Sequence, residues 1–150
     1  MSDAGDPLAA MPAAARDGLV ELYRDLDREL AALQPRCELS GRCCDFRANG
    51  HVLFATDLEL SHLAATLPPS EDGPADLCPW WKAGRCEARE GRPLGCRLYF
   101  CDPTKQRELL ELSQRFHDRL KRLHESTSAP YRYDRFVRRV RELAAQHSRR

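Results

Sequence analysis

The chain of 150 residues carries seven cysteines, and all of them fall between Cys37 and Cys101. Their spacing is Cys37-x5-Cys43-Cys44, a gap of 33 residues, then Cys78-x7-Cys86-x9-Cys96-x4-Cys101. Thiolate is a soft donor, suited to zinc, copper(I) and iron–sulfur clusters. A tetrahedral zinc site or a four-iron cluster takes four such donors, usually delivered in pairs on turns. Seven donors leave three arrangements: two sites, one multinuclear site, or one site with a reactive thiol to spare. Two complete sites need an eighth ligand. His51, just behind an Asn49-Gly50 turn, is the best candidate, and a water would also serve. Adjacent Cys43 and Cys44 point in different directions on extended backbone, so they serve two metals more easily than one. Arg42, Arg85 and Arg97 each adjoin a cysteine. A positive neighbour favours thiolate and offsets the charge of a thiolate-rich site, although solvated arginines would look the same in sequence.

Composition sets the background for this chemistry. Hydrophobic residues are 42% and charged residues 31%, ordinary for a soluble globular protein, and the length suits one domain over residues 1–150. No run of about 18 apolar residues exists, so no membrane span is expected. The N-terminal stretch has acids where a secretory signal has a basic start. These features predict a cytoplasmic protein, where thiols stay reduced and clustered cysteines bind metal or do redox chemistry rather than form structural disulfides. The competing reading, seven small buried hydrophobes, fits poorly with cysteines set among Gly and Pro turns.

The elements that must position the cysteines follow from periodicity. Leu19, Leu22, Leu26, Leu30 and Leu33 form one apolar stripe and predict a helix from about Pro12 to Leu33, ended by Pro35. Asp45 to Phe54 reads as a β-hairpin around Asn49-Gly50. Thr56-Asp57-Leu58-Glu59 is a capping box that opens a short helix running to Leu67, where Pro68-Pro69 stops it. Lys82-Ala83-Gly84 predicts a turn between two short extended pieces. Leu109, Leu112, Phe116, Leu120 and Leu123 mark a second long helix, interrupted at Ser126 to Pro130. Phe136, Val137, Val140, Leu143 and Ala144 mark a last one. The expected fold is therefore mainly α: a small helical domain wrapped around an irregular, cysteine-rich metal-binding core with a short β-hairpin. Residues 37–101 are that core, and residues 1–36 and 104–150 are flanking helices.

Two stretches also resemble a known family. CELSGRCCDF, Cys37 to Phe46, and CPWWKAGRCEAREGRPLGCRLYFC, Cys78 to Cys101, are similar to the YkgJ-type cysteine cluster family, described as the CxxCxxCC zinc- or iron-chelating domain. In the second stretch, Cys78-Pro79-Trp80, Gly84-Arg85-Cys86 and Arg92-Pro93-Leu94-Gly95-Cys96-Arg97 follow the family's order and spacing. The match covers less than half of the chain. The family's first block has a cysteine where this chain has Ser40, and Cys101, just past the family block, is the expected replacement. The resemblance implies metal chelation and names no reaction.

The remaining candidates are weaker. Trp80 and Trp81 are expected to pack around the site and keep water out, and Tyr99 and Phe100 to anchor the core. His62, His117, His124 and His147 fall on helices and read as surface histidines. Residues 104–150 hold 13 basic and 6 acidic side chains, net +7, while the two segments before them are each net −3. Arg132, Arg135, Arg138, Arg139, Arg141, Arg149 and Arg150 are read as solvated or paired with Asp25, Asp27 and Glu29 of the first helix. No nucleic-acid recognition motif is present, so nucleic acid is not the favoured partner. There is no phosphate loop, nucleophile elbow or His-Glu-x-x-His helix. The leading expectation is a protein chelating zinc, iron or an iron–sulfur cluster through Cys37, Cys43, Cys44, Cys78, Cys86, Cys96 and Cys101. Zinc would predict a structural role or a protein partner. The alternatives are a thiol–disulfide redox protein, or an interaction or nucleic-acid module with a basic C-terminal helix and a structural metal site.

Overall fold

The computed structural model describes residues 11–36, 53–66, 80–82, 85–86, 89–100 and 102–148; residues 66, 81–82, 85–86, 89 and 143–148 are described by their backbone alone. The fold is mainly helical. Two long helices, α1 (Ala13–Leu33) and the later α4 (Gln106–Thr127), pack against each other. Between them in the chain lie β1 (Phe54–Thr56), α2 (Asp57–Thr66), β2 (Trp81–Lys82), β3 (Arg85–Cys86) and the single-turn α3 (Leu94–Arg97). After α4 come β4 (Tyr133–Arg135) and α5 (Phe136–Ser148).

Both long helices bury the stripes that periodicity predicts. Leu19, Leu22, Leu26 and Leu30 of α1 meet Leu109, Leu112, Phe116 and Leu120 of α4 in one core, joined by Leu58, Leu94 and Leu98. Each such side chain contributes about 1.5–3 kcal/mol on burial. The helices approach closely at Gly18, where an added methyl would run into Leu123. Helix α1 ends with Gln34 in the left-handed region, φ 53°, its N–H donating to the Leu30 carbonyl at 2.9 Å; Pro35 then bars continuation.

Among the described residues, Asp25, Asp27 and Glu29 of α1 pair with Arg28 of α1 itself and with arginines of α3 and α4. Arg115 pairs with Glu29 at 2.8 Å, Arg119 with Asp25 at 2.7 Å and Arg97 with Asp27 at 2.9 Å. Of the C-terminal arginines, Arg139 is buried and grips Asp57 through two bonds of 2.9 and 3.0 Å, which ties α5 to the first turn of α2. Arg132 and Arg138 pair with Asp134 and Glu142.

One strand pairing is not foreseen from the sequence. Phe54–Thr56 pairs antiparallel with Tyr133–Arg135 near the other end of the chain. The Phe136 N–H donating to the Leu53 carbonyl at 2.8 Å and the Asp57 N–H donating to the Arg132 carbonyl at 3.1 Å extend this ladder into α5 and α2. A three-residue strand must find its partner where the helices bring one, and α4 and α5 bring β4 alongside. The Asn49-Gly50 hairpin lies outside the described residues. Trp81–Lys82 and Arg85–Cys86 do form the expected hairpin, joined by Ala83-Gly84. Trp80, before it, is buried against Phe136 with ring centroids 5.9 Å apart.

Candidate functional site

Cys96 is the one cysteine whose side chain lies among the described residues. It is 7% exposed and sits on α3, a single turn that sequence periodicity did not predict. So short a helix has no stability of its own, and its neighbours hold it. The first N–H of the turn, from Leu94, donates to Glu59 Oε2 at 2.6 Å. Gly95 lets the turn press against the chain entering β1, since a methyl there would run into Leu53. On the other side of Cys96, Arg97 is 4% exposed and fully engaged. Its Nε donates to the Arg92 carbonyl at 2.6 Å, Nη1 to both oxygens of Asp27, and Nη2 to the Glu90 carbonyl. Its guanidinium lies 4.0 Å over the Tyr23 ring. Arg97 is therefore not a solvated neighbour of the cysteine; it is a buried clamp from the cysteine's own turn onto α1.

Glu59 joins three elements. The capping box predicted for α2 is present: the Glu59 N–H donates to Thr56 Oγ1 at 3.2 Å, and the Thr56 N–H donates to Glu59 Oε1 at 3.1 Å. The same carboxylate, 1% exposed, also accepts from the Thr56 hydroxyl at 3.2 Å, the Tyr23 hydroxyl of α1 at 3.0 Å and the Leu94 N–H of α3. Burial, and then the Glu59 charge, push the Tyr23 phenol well above its ordinary value of 10.0. The His62 ring meets Tyr23 edge-on at 5.5 Å, and burial, aided by the Arg97 charge, lowers the His62 pKa.

A second polar contact ties the two ends of the cysteine-bearing segment. Asp102 caps the short 3-10 turn Pro103–Lys105 by accepting from the Thr104 N–H at 3.0 Å and its hydroxyl at 2.6 Å. Its other oxygen accepts from the Arg36 N–H at 2.9 Å. Arg36 and Asp102 are the chain neighbours of Cys37 and Cys101, so residues 66 apart in sequence are bonded to each other at the boundaries of the segment. The Thr104 and Arg36 hydrogen bonds hold the Asp102 carboxyl below its usual range.

Cys37, Cys43, Cys44, Cys78 and Cys101, together with Ser40 and His51, lie outside the described residues, and Cys86 is described only as backbone on β3. Among the described residues, no group of three or more His, Cys, Asp or Glu side chains is arranged to hold a metal. His62, His117, His124 and His147 do fall on helices, but His124 is not a surface residue. It is 2% exposed, because it extends the apolar stripe of α4 and Ala129 folds back over it. His62 and His117 are half-buried. Phe100 packs on the core as expected. Sequence reasoning missed the wider part played by Glu59, together with Tyr23 and Asp102. The capping box did mark Glu59 as a bonded carboxylate, but bonds to partners 35 and 36 residues away leave no trace in local spacing.

A scan against protein-family models finds no match for this chain, and searches of curated proteins and of solved structures find none either. Among the described residues, no helix is long and apolar enough to cross a membrane.

Proposed function

We propose that this chain chelates zinc, iron or an iron–sulfur cluster through thiolates of Cys37, Cys43, Cys44, Cys78, Cys86, Cys96 and Cys101. The observation that carries the reading is the Arg36–Asp102 hydrogen bond, which joins the immediate neighbours of the first and last cysteines. A metal site built from distant stretches needs that kind of closure. The donor chemistry fits the group. Cys96 is buried on a turn held at both ends by hydrogen bonds, and thiolate is the soft donor such metals select. The two cysteine stretches and their likeness to the YkgJ-type cluster supply the rest of the argument. When bound, zinc would brace the segment, whereas a cluster would add electron transfer or sensing. The residues around Cys96 would orient one ligand and keep water from it. A reducing, cytoplasmic setting goes with this reading.

Anaerobic purification followed by elemental analysis and a visible spectrum tests it. A brown protein absorbing broadly near about 400 nm would mark thiolate–iron bonding, and a colourless one with stoichiometric zinc would mark zinc. Protein with neither metal above background, folded and with all thiols titrating freely, would overturn the proposal and favour the redox alternative.

A further inference from the structure

The sheet formed by β1 and β4 carries a feature unrelated to the cysteines. Its register sets Phe54 opposite Arg135 and Thr56 opposite Tyr133, so Phe54, Arg135 and Tyr133 share one face. On that face the rings of Phe54 and Tyr133 stack with centroids 5.4 Å apart and planes 26° apart. The row continues to Tyr131, 6.5 Å from Tyr133 and inclined by 17°. All three rings are open to solvent: Phe54 is 37% exposed, Tyr133 44% and Tyr131 47%. They are also held in place. His117 meets Tyr133 edge-on at 5.9 Å, and buried His124 meets Tyr131 edge-on at 5.0 Å. Beyond Tyr131 the row ends at a pocket of about 240 Å³, lined by Lys121, His124, Glu125, Ala129 and Tyr131. Among the described residues, His124 Nε2 at this end is a buried polar atom with no hydrogen-bond partner.

Single exposed aromatic residues are ordinary, but three near-parallel rings held in a row are an exposed apolar patch that calls for an occupant. Flat, fixed rings favour a ligand with flat faces. The charges at the two ends of the row decide its class. Exposed Arg135 stands beside Phe54, and Lys121 stands at the pocket. A proline-rich peptide would use the rings and have no need of the cations, whereas a polyanion with stackable bases uses both. Arg132 is taken up by Asp134 and Glu142 and plays no part in the count. Glu125 would accept from a base amino group instead of meeting phosphate.

We propose that the Phe54–Tyr133–Tyr131 row is a platform for single-stranded nucleic acid, with bases packed against the ring surface that the row leaves exposed and phosphates met by Arg135 and Lys121. The platform lies on the sheet between α4 and α5, not along the arginines of α5, and it operates whether or not the cysteines hold metal. The test is fluorescence anisotropy of a labelled single-stranded RNA of mixed sequence, about 12 nucleotides long, titrated with the full chain as purified. Saturable binding that weakens as salt rises is expected, with a duplex of the same sequence bound less tightly. Tyr131→Ala and Tyr133→Ala should each weaken binding about tenfold, and Tyr133→Phe should leave it close to wild type, because stacking uses the ring and not the hydroxyl. Arg135→Glu, at an exposed position, should weaken binding without altering the far-UV circular dichroism. The proposal is overturned if the wild-type chain gives no saturable signal. Alanine variants that bind as well as wild type, or binding of a proline-rich peptide in place of RNA, would overturn it equally.

Discussion

Replacing Glu59 by alanine removes a carboxylate that is 1% exposed and accepts four hydrogen bonds. Three donors lose their partner inside the protein: the Thr56 N–H, the Tyr23 hydroxyl and the Leu94 N–H. The Thr56 hydroxyl keeps its bond from the residue-59 N–H, so it is less affected. A buried donor left unsatisfied costs roughly 1–3 kcal/mol. Three of them set a range of about 3–9 kcal/mol, and water entering the space vacated by the side chain brings the expected loss down to about 4 kcal/mol. Against a total stability of about 5–15 kcal/mol, that is a large share. Glu59→Gln separates the contributions. One amide oxygen can serve the Thr56 side or the Leu94 side, but not both. The Tyr23 hydroxyl can turn and accept from the amide NH₂, while a backbone N–H cannot. The expected cost is one unsatisfied backbone donor, about 2 kcal/mol. Tyr23→Phe, which removes a donor and leaves the carboxylate three others, should cost about 1 kcal/mol. Urea unfolding followed by circular dichroism measures all three, provided the slope with denaturant stays constant. Glu59→Ala within about 1 kcal/mol of wild type, or Glu59→Gln as damaging as Glu59→Ala, would refute the reasoning.

Other expectations follow from the same contacts. Arg139→Ala leaves Asp57 buried without its partner and should destabilise by about 3–5 kcal/mol, whereas Arg138→Ala, which breaks an exposed pair, should cost under about 1 kcal/mol; urea midpoints compare them. Stability should fall as pH rises above 10.0, because the unfolded phenol ionises there while buried Tyr23 stays neutral, and Tyr23→Phe should reduce that fall; Tyr131 and Tyr133, raised mainly by burial, leave a remainder. On the acid side, burial lowers His62 and His117 below 6.5, so the unfolded chain takes up protons first, and stability present above pH 6.5 should be lost as pH falls through their depressed values. Thermal melts across both ranges give the two slopes. Asp102→Ala releases the Arg36 N–H and the Thr104 cap and should reduce the metal content of anaerobically purified protein, as Cys96→Ser should; metal content equal to wild type in both would count against the chelation reading.

Much of the fold can be read from local pattern. The leucine spacing of α1 and α4 specifies which face each helix buries, because a 3.6-residue repeat places every third or fourth side chain on one side. Thr56 and Glu59 mark the start of α2, since a hydroxyl and a carboxylate three residues apart can satisfy each other's backbone N–H groups. The short hairpin at Trp81–Cys86 follows from a two-residue connection ending in glycine. The local pattern gives no warning of β1 pairing with β4, because a three-residue strand takes whichever partner the packed helices bring to it. His124 reads as polar in a list of residue types, and only the fold of Ala129 over the helix end makes it buried.

The seven cysteines and their two blocks, the helical periods and the basic final third belong to the sequence alone, because they depend on residue type and nearest spacing. Which groups share one carboxylate is a tertiary matter. Glu59 binds Tyr23 and Leu94, Asp102 binds the Arg36 N–H, and Arg139 binds Asp57 only once the packed helices bring partners 35 to 82 residues apart within bonding distance. The row of Phe54, Tyr133 and Tyr131 is set in the same way. Three aromatic residues far apart or merely alternating in sequence become one stacked surface when two short strands meet, since hydrogen-bond register, not composition, determines which side chains face the same way.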